Sequence, residues 1–197
     1  MSDGKEPQSE AELPAVLAAA AKGDERAWRT LVDLYSRRVF ALAKSRVRRA
    51  DVAEEVTQSV FATLACKLSD GSYTEQGRFE AWLFRVAMNR IRDEIRKARR
   101  SLEVSENGLH AQTVSTTSEG GSIAPELRGL RDALARLSAA DREVVELRHH
   151  AGMSFNQIAE LLAEPLGTLL ARHHRALRKL KELLTTEPEI RSKGMDP

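Results

Sequence analysis

The sequence predicts an all-α protein made of two small helical domains joined by a flexible linker. Apolar residues recur at helical spacing in both halves, whereas Val and Ile do not form alternating runs. Aromatic residues make up only 5% of the 197 residues. A stretch rich in Ser, Thr and Gly separates the two helical halves. A chain of this length suits one or two small domains.

The first half begins with a polar segment, residues 1–9, that we expect to be disordered. An alanine-rich segment from Glu10 predicts a short helix that ends at Gly23. Asp24 is a suitable N-cap for a second helix. The apolar side chains of this second helix recur at helical spacing and predict its core face: Trp28, Leu31, Leu34, Tyr35, Val39 and Leu42.

A third and a fourth helix complete the first domain, which we expect to span residues 10–100. Asp51, with Glu54 three positions later, predicts a capping box at the start of the third helix. The polar stretch 69–77 interrupts the pattern and predicts a loop. A long helix is then expected over residues 78–100.

The second half begins after residues 101–124, which lack periodicity and predict the flexible linker. Pro125 suits the first turn of a helix that runs to about Leu137. The second domain is expected to span residues 125–184. The remaining residues, 185–197, are predicted to be a disordered tail.

Three further helices are predicted in the second domain. Asp141 is expected to cap the first of them, which ends near Gly152. Ser154 and Gln157 predict a capping box that opens a short helix, and Pro165 starts a final helix that runs to about Leu184.

Positive charge is concentrated on particular helices, although the whole chain has a net charge of only +2. Residues 84–100 hold seven Arg or Lys against two acids, and residues 36–50 hold six basic residues and no acid. Residues 165–183 hold five basic residues against one Glu. Nucleic-acid backbones favour such clusters, because each neutralised phosphate releases counterions.

The single cysteine, Cys66, is expected to be a small core residue, which fits a reducing cytoplasm. No stretch approaches the roughly 20 apolar residues of a membrane span, so no membrane insertion is expected. The acidic N-terminus lacks the pattern of a secretory signal. A cytoplasmic location is therefore predicted.

A helical wheel divides the helix over residues 78–100 into two faces. The apolar face is expected to pack against a core; it contains Phe79, Leu83, Phe84, Val86, Ala87 and Ile91. The opposite stripe combines an aromatic ring, an amide and guanidinium groups; it contains Arg78, Trp82, Arg85, Asn89, Arg92 and Arg96. Such a stripe can stack on bases and hold phosphates. A solvated face with Trp82 partly in the core remains the alternative.

The second half also contains a helix-turn-helix pattern. Ile158 and Leu162 are expected to face inward, with Ala159 at the close approach of the two helices and the turn at Glu164–Thr168. The helix after this turn would enter the major groove with its N-terminus first. Its candidate DNA-contacting residues are Thr168, Arg172, His173, Arg175 and Arg178. An ordinary helical hairpin with a solvated basic face is the alternative.

The two halves together resemble the sigma-70 family of RNA polymerase sigma factors, specifically the extracytoplasmic-function (ECF) group. The resemblance lies in residues 51–64 (DVAEEVTQSVFATL) and 78–100 (RFEAWLFRVAMNRIRDEIRKARR) for region 2. Residues 130–180, which include FNQIAELLAEPLGTLLARHHRALRKL, resemble region 4. The two matches occur in the order of the family.

The resemblance implies a non-catalytic subunit, without a cofactor or metal, that recognises and melts the −10 element and recognises the −35 element. It implies binding to the clamp helices of the largest polymerase subunit and the flap of the second-largest, to promoter DNA and to an anti-sigma factor. The implied clamp-docking residues are Asp51, Glu54, Glu55 and Gln58. Loop 69–77 and the stripe with Trp82 and Asn89 match the part of the family's region 2 that melts and recognises the −10 element. The helix with Arg172 and Arg175 matches the −35 part.

Three residues depart from the usual family pattern. Family members usually have Glu where this chain has Gln157, and Lys or Arg followed by Ser where it has Leu170 and Ala171. The last two lie on the predicted recognition helix, where they remove a phosphate or base contact. Weaker or less sequence-specific −35 binding is therefore expected.

Other functional classes stay open. A free-standing helix-turn-helix repressor or activator would normally be a symmetric dimer with one DNA-binding module, whereas this chain has two unlike basic modules. A metal-dependent hydrolase finds little support, because adjacent histidines on a helix point about 100° apart and no HExxH or CxxC motif is present. The histidines in question are His149, His150, His173 and His174. An interaction scaffold is the last alternative.

Overall fold

The computed structural model describes residues 12–107 and 125–192, with side chains over 12–101 and 128–185. These residues form eight helices and no strand. The helices are α1 (Leu13–Ala21), α2 (Glu25–Val47), α3 (Ala50–Ser69), α4 (Phe79–Asn107), α5 (Pro125–Ala135), α6 (Ala139–His149), α7 (Phe155–Leu162) and α8 (Leu166–Ser192). The all-α prediction is confirmed. None of the helices, as far as they are described, is long and apolar enough to cross a membrane.

The chain divides into two compact units, the first containing α1–α4 and the second α5–α8. In the first unit, α2 packs against the other three helices and α3 packs against α4. The core of this unit is closed by large, fully buried side chains: Leu31, Leu42, Leu64, Phe79, Leu83, Phe84, Met88 and Ile91. In the second unit, α8 packs against α5, α6 and α7. Its core includes Leu137, Val145, Ile158, Leu169, Ala176 and Leu180.

Two of the predicted helix caps are confirmed. The Asp24 carboxylate accepts hydrogen bonds from the backbone N–H groups of Arg26 (2.8 Å) and Ala27 (3.0 Å) at the start of α2. Ser154 and Gln157 form the reciprocal capping box at the start of α7. Each cap satisfies backbone donors that have no partner within the helix.

The predicted caps at Asp51 and Asp141 are wrong, because each helix begins earlier than the pattern suggested. Arg49 is the N-cap of α3 and makes no side-chain cap hydrogen bond, and Asp51 lies in the first turn, where it pairs with Arg49. Ser138 is the N-cap of α6 and accepts a hydrogen bond from the backbone N–H of Asp141 (3.1 Å). Both aspartates lie in the first turn of their helix, where a negative charge interacts favourably with the positive end of the helix dipole.

Two helices continue beyond their predicted ends. Helix α4 reaches Asn107 rather than Arg100, because no helix breaker occurs before Gly108. Helix α8 reaches Ser192 rather than Leu184, so that residues 185–192 of the predicted tail are helical. The predicted disorder over 1–9, the linker over 108–124 and the last five residues lie outside the described part of the chain.

The prediction that Cys66 is a core residue is wrong, because its side chain is exposed. Val56, Val60 and Leu64 form the buried stripe of α3 at four-residue intervals. Cys66 follows Leu64 by two residues, which places it about 200° around the helix, on the solvent side.

An ion pair joins α2 and α4 in the first unit. Two guanidinium nitrogens of Arg38 bond the two carboxylate oxygens of Glu80 at 2.7 and 3.0 Å. Their side chains are only 25% and 18% exposed, and the guanidinium also lies 5.1 Å from the ring centroids of Tyr35 and Phe84. Burial, with the charge of Glu80 next, raises the pKa of Tyr35.

We expect Glu80→Gln to lower the free energy of unfolding by about 1–3 kcal/mol, because it removes one charge from a largely desolvated pair. Glu25→Gln is the matched control, since Glu25 pairs with Arg29 at the surface, where the side chains are 84% and 73% exposed. The control is expected to change stability by less than about 0.5 kcal/mol. Urea denaturation followed by circular dichroism measures both. Equal effects of the two substitutions would contradict a structural role for the Arg38–Glu80 pair.

Candidate nucleic-acid interface

The four predicted docking residues of α3 lie on one exposed side of the helix. Asp51, Glu54, Glu55 and Gln58 are all exposed, and at 100° per residue they fall within about 100° of the helical wheel. The hydrogen bond from Arg49 lowers the pKa of Asp51. This surface therefore carries negative charge at neutral pH.

Grooves flank this acidic surface on both sides. Glu54 and Gln58 line a groove between α2 and α3, together with Arg37 and Phe40. Glu55 lines a cleft between α3 and α4, whose other wall includes four cations: Arg90, Arg96, Lys97 and Arg100. The surface therefore combines acidic side chains of α3 with grooves whose opposite walls carry basic side chains of α2 and α4.

The two predicted faces of α4 are present in the structure. On the apolar side Phe79, Leu83, Phe84, Ala87 and Ile91 are buried and Val86 is half-buried. On the opposite side Arg78, Arg85, Asn89, Arg92 and Arg96 are exposed, and Trp82 is half-buried. Arg96 pairs with Asp93 (2.5 Å), and Arg92 donates to the amide oxygen of Asn89 (3.5 Å). The stripe therefore presents guanidinium groups to solvent beside one partly exposed indole.

Trp82 belongs to an aromatic cluster that helical periodicity does not predict. Its ring centroid lies 4.9 Å from that of Tyr73 and 6.1 Å from that of Phe79. Tyr73 packs edge-on against Phe79 at 5.8 Å, and Tyr35 packs against the same ring at 5.3 Å. The cluster joins the loop 69–77 to the first turn of α4.

Glu75 fixes the same loop to α4. One of its carboxylate oxygens accepts hydrogen bonds from the backbone N–H groups of Gly77 and Arg78. The other accepts a hydrogen bond from the hydroxyl of Tyr73 at 2.7 Å. Burial, followed by this hydrogen bond, raises the pKa of Tyr73. Periodicity cannot identify such contacts, because a loop has no repeating face.

The second unit contains the predicted helix-turn-helix, but the predicted turn at Glu164–Thr168 is too long, because α8 already begins at Leu166. Helix α7 ends at Leu162, its C-cap Ala163 has a left-handed backbone with a φ of 54°, and Pro165 precedes α8. Ile158 is fully buried as predicted, whereas Leu162 is only half-buried. Leu169 of α8 is fully buried and anchors the helix on this core, which leaves the opposite side of α8 exposed.

The candidate DNA-contacting residues of α8 differ in their environments. Thr168, Arg175 and Arg178 are exposed. Arg175 lies 3.7 Å from Asp141, and Arg178 lies 3.9 Å from Glu182. The side chains of Arg175 and Arg178 are 58% and 67% exposed, whereas the Asp141 carboxylate is only 19% exposed. Both guanidinium groups therefore present N–H donors to solvent.

Arg172 and His173 are instead half-buried and held by neighbouring side chains. Arg172 donates to the carboxylate of Glu164 at 2.8 Å, a hydrogen bond that raises the pKa of the guanidinium. The Nε2 atoms of His173 and His149 are 3.1 Å apart, and Phe155 packs edge-on against the His173 ring at 5.1 Å. Desolvation lowers the pKa of His173. The sequence did not indicate either contact, since both partners come from other elements.

Metal-ligating side chains are not grouped in the described residues: no three or more His, Cys, Asp or Glu are placed to hold one ion. His149 and His173 approach each other, as described above. The hydrolase alternative receives no further support from this arrangement.

Two helical modules, one of which carries a basic helix-turn-helix, are typical of the class of DNA-binding proteins. The Sigma-70 region 2 family model matches residues 31–101, and the Sigma-70 region 4 model matches residues 133–182. The chain belongs to the sigma-70 family of RNA polymerase sigma factors, in the ECF group. Membership of this family places its role in transcription initiation.

Two curated relatives support this assignment. The chain is 30% identical over 177 residues to the ECF RNA polymerase sigma factor BldN of Streptomyces coelicolor, an alignment that covers 88% of this chain and 66% of the relative. It is 25% identical over 173 residues to the ECF sigma factor SigW of Bacillus subtilis, which covers 83% of this chain and 91% of SigW.

Two solved structures are similar in fold and sequence. The sigma factor RpoE of Bartonella quintana, solved in complex with the anti-sigma factor NepR, is 26% identical with a TM-score of 0.61; the match covers 80% of this chain and 96% of that one. CnrH, solved in complex with the cytosolic domain of CnrY, is 26% identical with a TM-score of 0.63; the match covers 88% of this chain and 97% of that one.

Proposed function

We propose that this chain is a dissociable, non-catalytic subunit that binds core RNA polymerase and directs it to promoters in the cytoplasm. It recognises and melts the −10 element and recognises the −35 element. The observation that carries the proposal is the stripe of α4 in which the half-buried ring of Trp82 lies beside exposed guanidinium groups. The basic helix-turn-helix of the second unit supports a separate upstream contact.

The domain assignment follows from this proposal. Residues 10–100 form the region 2 domain and residues 125–184 the region 4 domain, with residues 101–124 between them. Because α4 continues to Asn107, the helical part of the first module is longer than the region 2 assignment. The two modules differ in their helical arrangement. This difference argues against a symmetric dimeric repressor, which would have a single DNA-binding module in each subunit.

Docking on the polymerase is assigned to the acidic side of α3. Asp51, Glu54, Glu55 and Gln58 would bind the clamp helices of the largest subunit, and the flap of the second-largest subunit would bind the second module. Complementary charge across such an interface directs association and fixes the register. The exposure of all four side chains supports this assignment.

Promoter melting is assigned to α4 and the loop before it. An unpaired base of the −10 element can stack on an aromatic ring, while the arginines hold phosphates. The partial exposure of Trp82, together with the packing of Tyr73 on its ring, supports a base-binding site at this end of α4. Glu75 would hold this loop in position.

The similarity to the sigma factor RpoE, which was solved with the anti-sigma factor NepR, supports a protein regulator for this chain as well. We propose that an anti-sigma factor binds it and withholds it from the polymerase.

A reconstituted transcription assay tests the proposal. Purified chain plus heterologous core polymerase is expected to produce transcripts from discrete start sites on bacterial genomic DNA, and the chain should co-purify with core polymerase. Core polymerase alone, and the chain alone, are the controls. Specific binding of the free chain to duplex DNA with no association with polymerase would favour the repressor alternative and contradict the proposal.

Restoring the usual family residues on α8 is expected to strengthen upstream binding. Leu170 is 45% exposed and Ala171 is also exposed, so Leu170→Lys with Ala171→Ser adds a cation and a hydroxyl without disturbing the core. We expect duplex DNA to bind the full chain more tightly, with a salt dependence that is steeper by about one phosphate contact. Fluorescence anisotropy at several salt concentrations measures both quantities.

Leu177→Lys is the matched control, because Leu177 is 42% exposed on the same side of α8, two turns farther from the N-terminus. It adds the same charge at a position more distant from the expected groove contact. If the control steepens the salt dependence as much as the double substitution, the gain reflects net charge and the position-specific prediction is wrong.

A further inference from the structure

The ion pair between Arg172 and Glu164 differs from the other pairs described on the recognition helix. One guanidinium nitrogen of Arg172, Nη1, lies 2.8 Å from Oε1 and 2.7 Å from Oε2 of Glu164. The two side chains are 22% and 30% exposed. The pair between Arg178 and Glu182 is 3.9 Å long, and its side chains are 67% and 68% exposed. Only the first of these two pairs is short and shielded from water.

The position of Glu164 makes this contact relevant to DNA binding. Glu164 lies between the end of α7 and the start of α8, in the turn of the helix-turn-helix. The N-terminal residues of a recognition helix are those that reach base edges in the major groove. Glu164, in the turn, therefore holds the side chain of Arg172, which lies on the helix that would enter the groove.

The way in which Arg172 is held leaves part of its guanidinium for another partner. A guanidinium has five N–H donors in a planar fork, and the contact described with Glu164 uses Nη1. Nε and Nη2 form an edge that matches the O6 and N7 acceptors of guanine. The Glu164 carboxylate, 2.8 Å from Arg172, also partly neutralises the guanidinium charge and so reduces its attraction to a DNA phosphate.

We propose that Glu164 is a specificity-determining positioning residue, which orients Arg172 for a base edge and reduces its attraction to phosphates. This inference rests on the proposed −35 recognition by α8. Glu164 acts through Arg172 and makes no DNA contact of its own. Removal of the Glu164 carboxylate is expected to strengthen binding to unrelated DNA, as loss of electrostatic repulsion alone would. It is also expected to weaken the preference for the base that Arg172 contacts, which loss of repulsion alone would not do.

The test compares Glu164→Gln with Glu182→Gln, which removes the same charge from the exposed pair on the same helix. Both full-length variants and the parent are assembled with core polymerase. The holoenzymes select from duplexes randomised over roughly 40 base pairs, enough for two sites two helical turns apart. The free chains are titrated with poly(dA–dT) at several salt concentrations. Thermal melts by circular dichroism show whether each variant remains folded.

For Glu164→Gln we expect the salt dependence on poly(dA–dT) to steepen by about one phosphate contact relative to Glu182→Gln. Preference for guanine at one upstream position should fall by about 5- to 150-fold, the range for loss of a bidentate base contact. Arg172→Ala should lose the same preference, and adding Glu164→Gln to it should cause no further loss. The double variant thereby separates positioning from a direct effect of the carboxylate.

Equal behaviour of Glu164→Gln and Glu182→Gln in both measurements would overturn the inference. A failure of the proposed −35 recognition would give a different result. A parent holoenzyme that enriches no upstream sequence contradicts the proposed −35 recognition and the inference together. A parent that enriches a sequence which Glu164→Gln enriches equally well contradicts the inference alone.

Discussion

Replacing Asp51, Glu54 and Glu55 together by alanine is expected to weaken binding of the chain to core RNA polymerase by about 2–5 kcal/mol, roughly 30-fold or more. The loss arises because cations on the polymerase surface would be left desolvated without their partners. All three carboxylates are exposed, so the substitutions should leave the helical fold intact. Fluorescence titration of labelled chain with core polymerase measures the change.

A second triple variant controls for net charge. Glu12, Glu25 and Asp33 are also exposed carboxylates of the first unit, outside α3. Their replacement by alanine should leave polymerase binding within about threefold of the parent, since distant exposed charges are screened by salt. Parent-like affinity of the α3 variant would show that this surface does not dock.

The second large effect is expected at Trp82. Trp82→Ala should lower formation of the open complex by about 5- to 150-fold more than it lowers initial promoter binding, because stacking on an unpaired base is worth about 1–3 kcal/mol. Permanganate footprinting reports the open complex, and gel shift at low temperature reports initial binding. The aromatic contacts with Tyr73 and Phe79 mean that alanine also removes packing.

Two further substitutions separate stacking from packing. Trp82→Phe keeps an aromatic ring and should retain most of the melting activity. Trp82→Leu keeps apolar volume without a π face and should behave like alanine in melting while it remains more stable than alanine. If leucine supports melting as well as phenylalanine does, the role of Trp82 is structural.

The helical periodicity of apolar residues is what makes most of this fold predictable from the sequence. The wheel of α4 separated buried Phe84 and Ile91 from exposed Arg85 and Asn89 correctly, because a helical face repeats along the chain. The caps at Asp24 and Ser154 were also predictable, since a cap is a local interaction. Local patterns of this kind account for the helix types and most of their faces.

Tertiary contacts account for what the sequence did not predict. Tyr73 and Glu75 act from a loop, and Glu164 reaches Arg172 from a turn, so no periodic signal marks them. The predicted cap at Asp51 was wrong because α3 begins at Ala50, with Arg49 as its N-cap. A pattern of polar and apolar residues does not distinguish these two starting points.

The exposure of Cys66 has a practical consequence. It is the only thiol in the sequence, so a maleimide dye would attach at one site without any prior substitution. Eight residues of helix, about 12 Å, separate it from Gln58, and the two positions differ by about 80° around α3. A dye there would lie beside the proposed docking surface without covering it. Its fluorescence would then follow the assembly and release of the polymerase complex in real time.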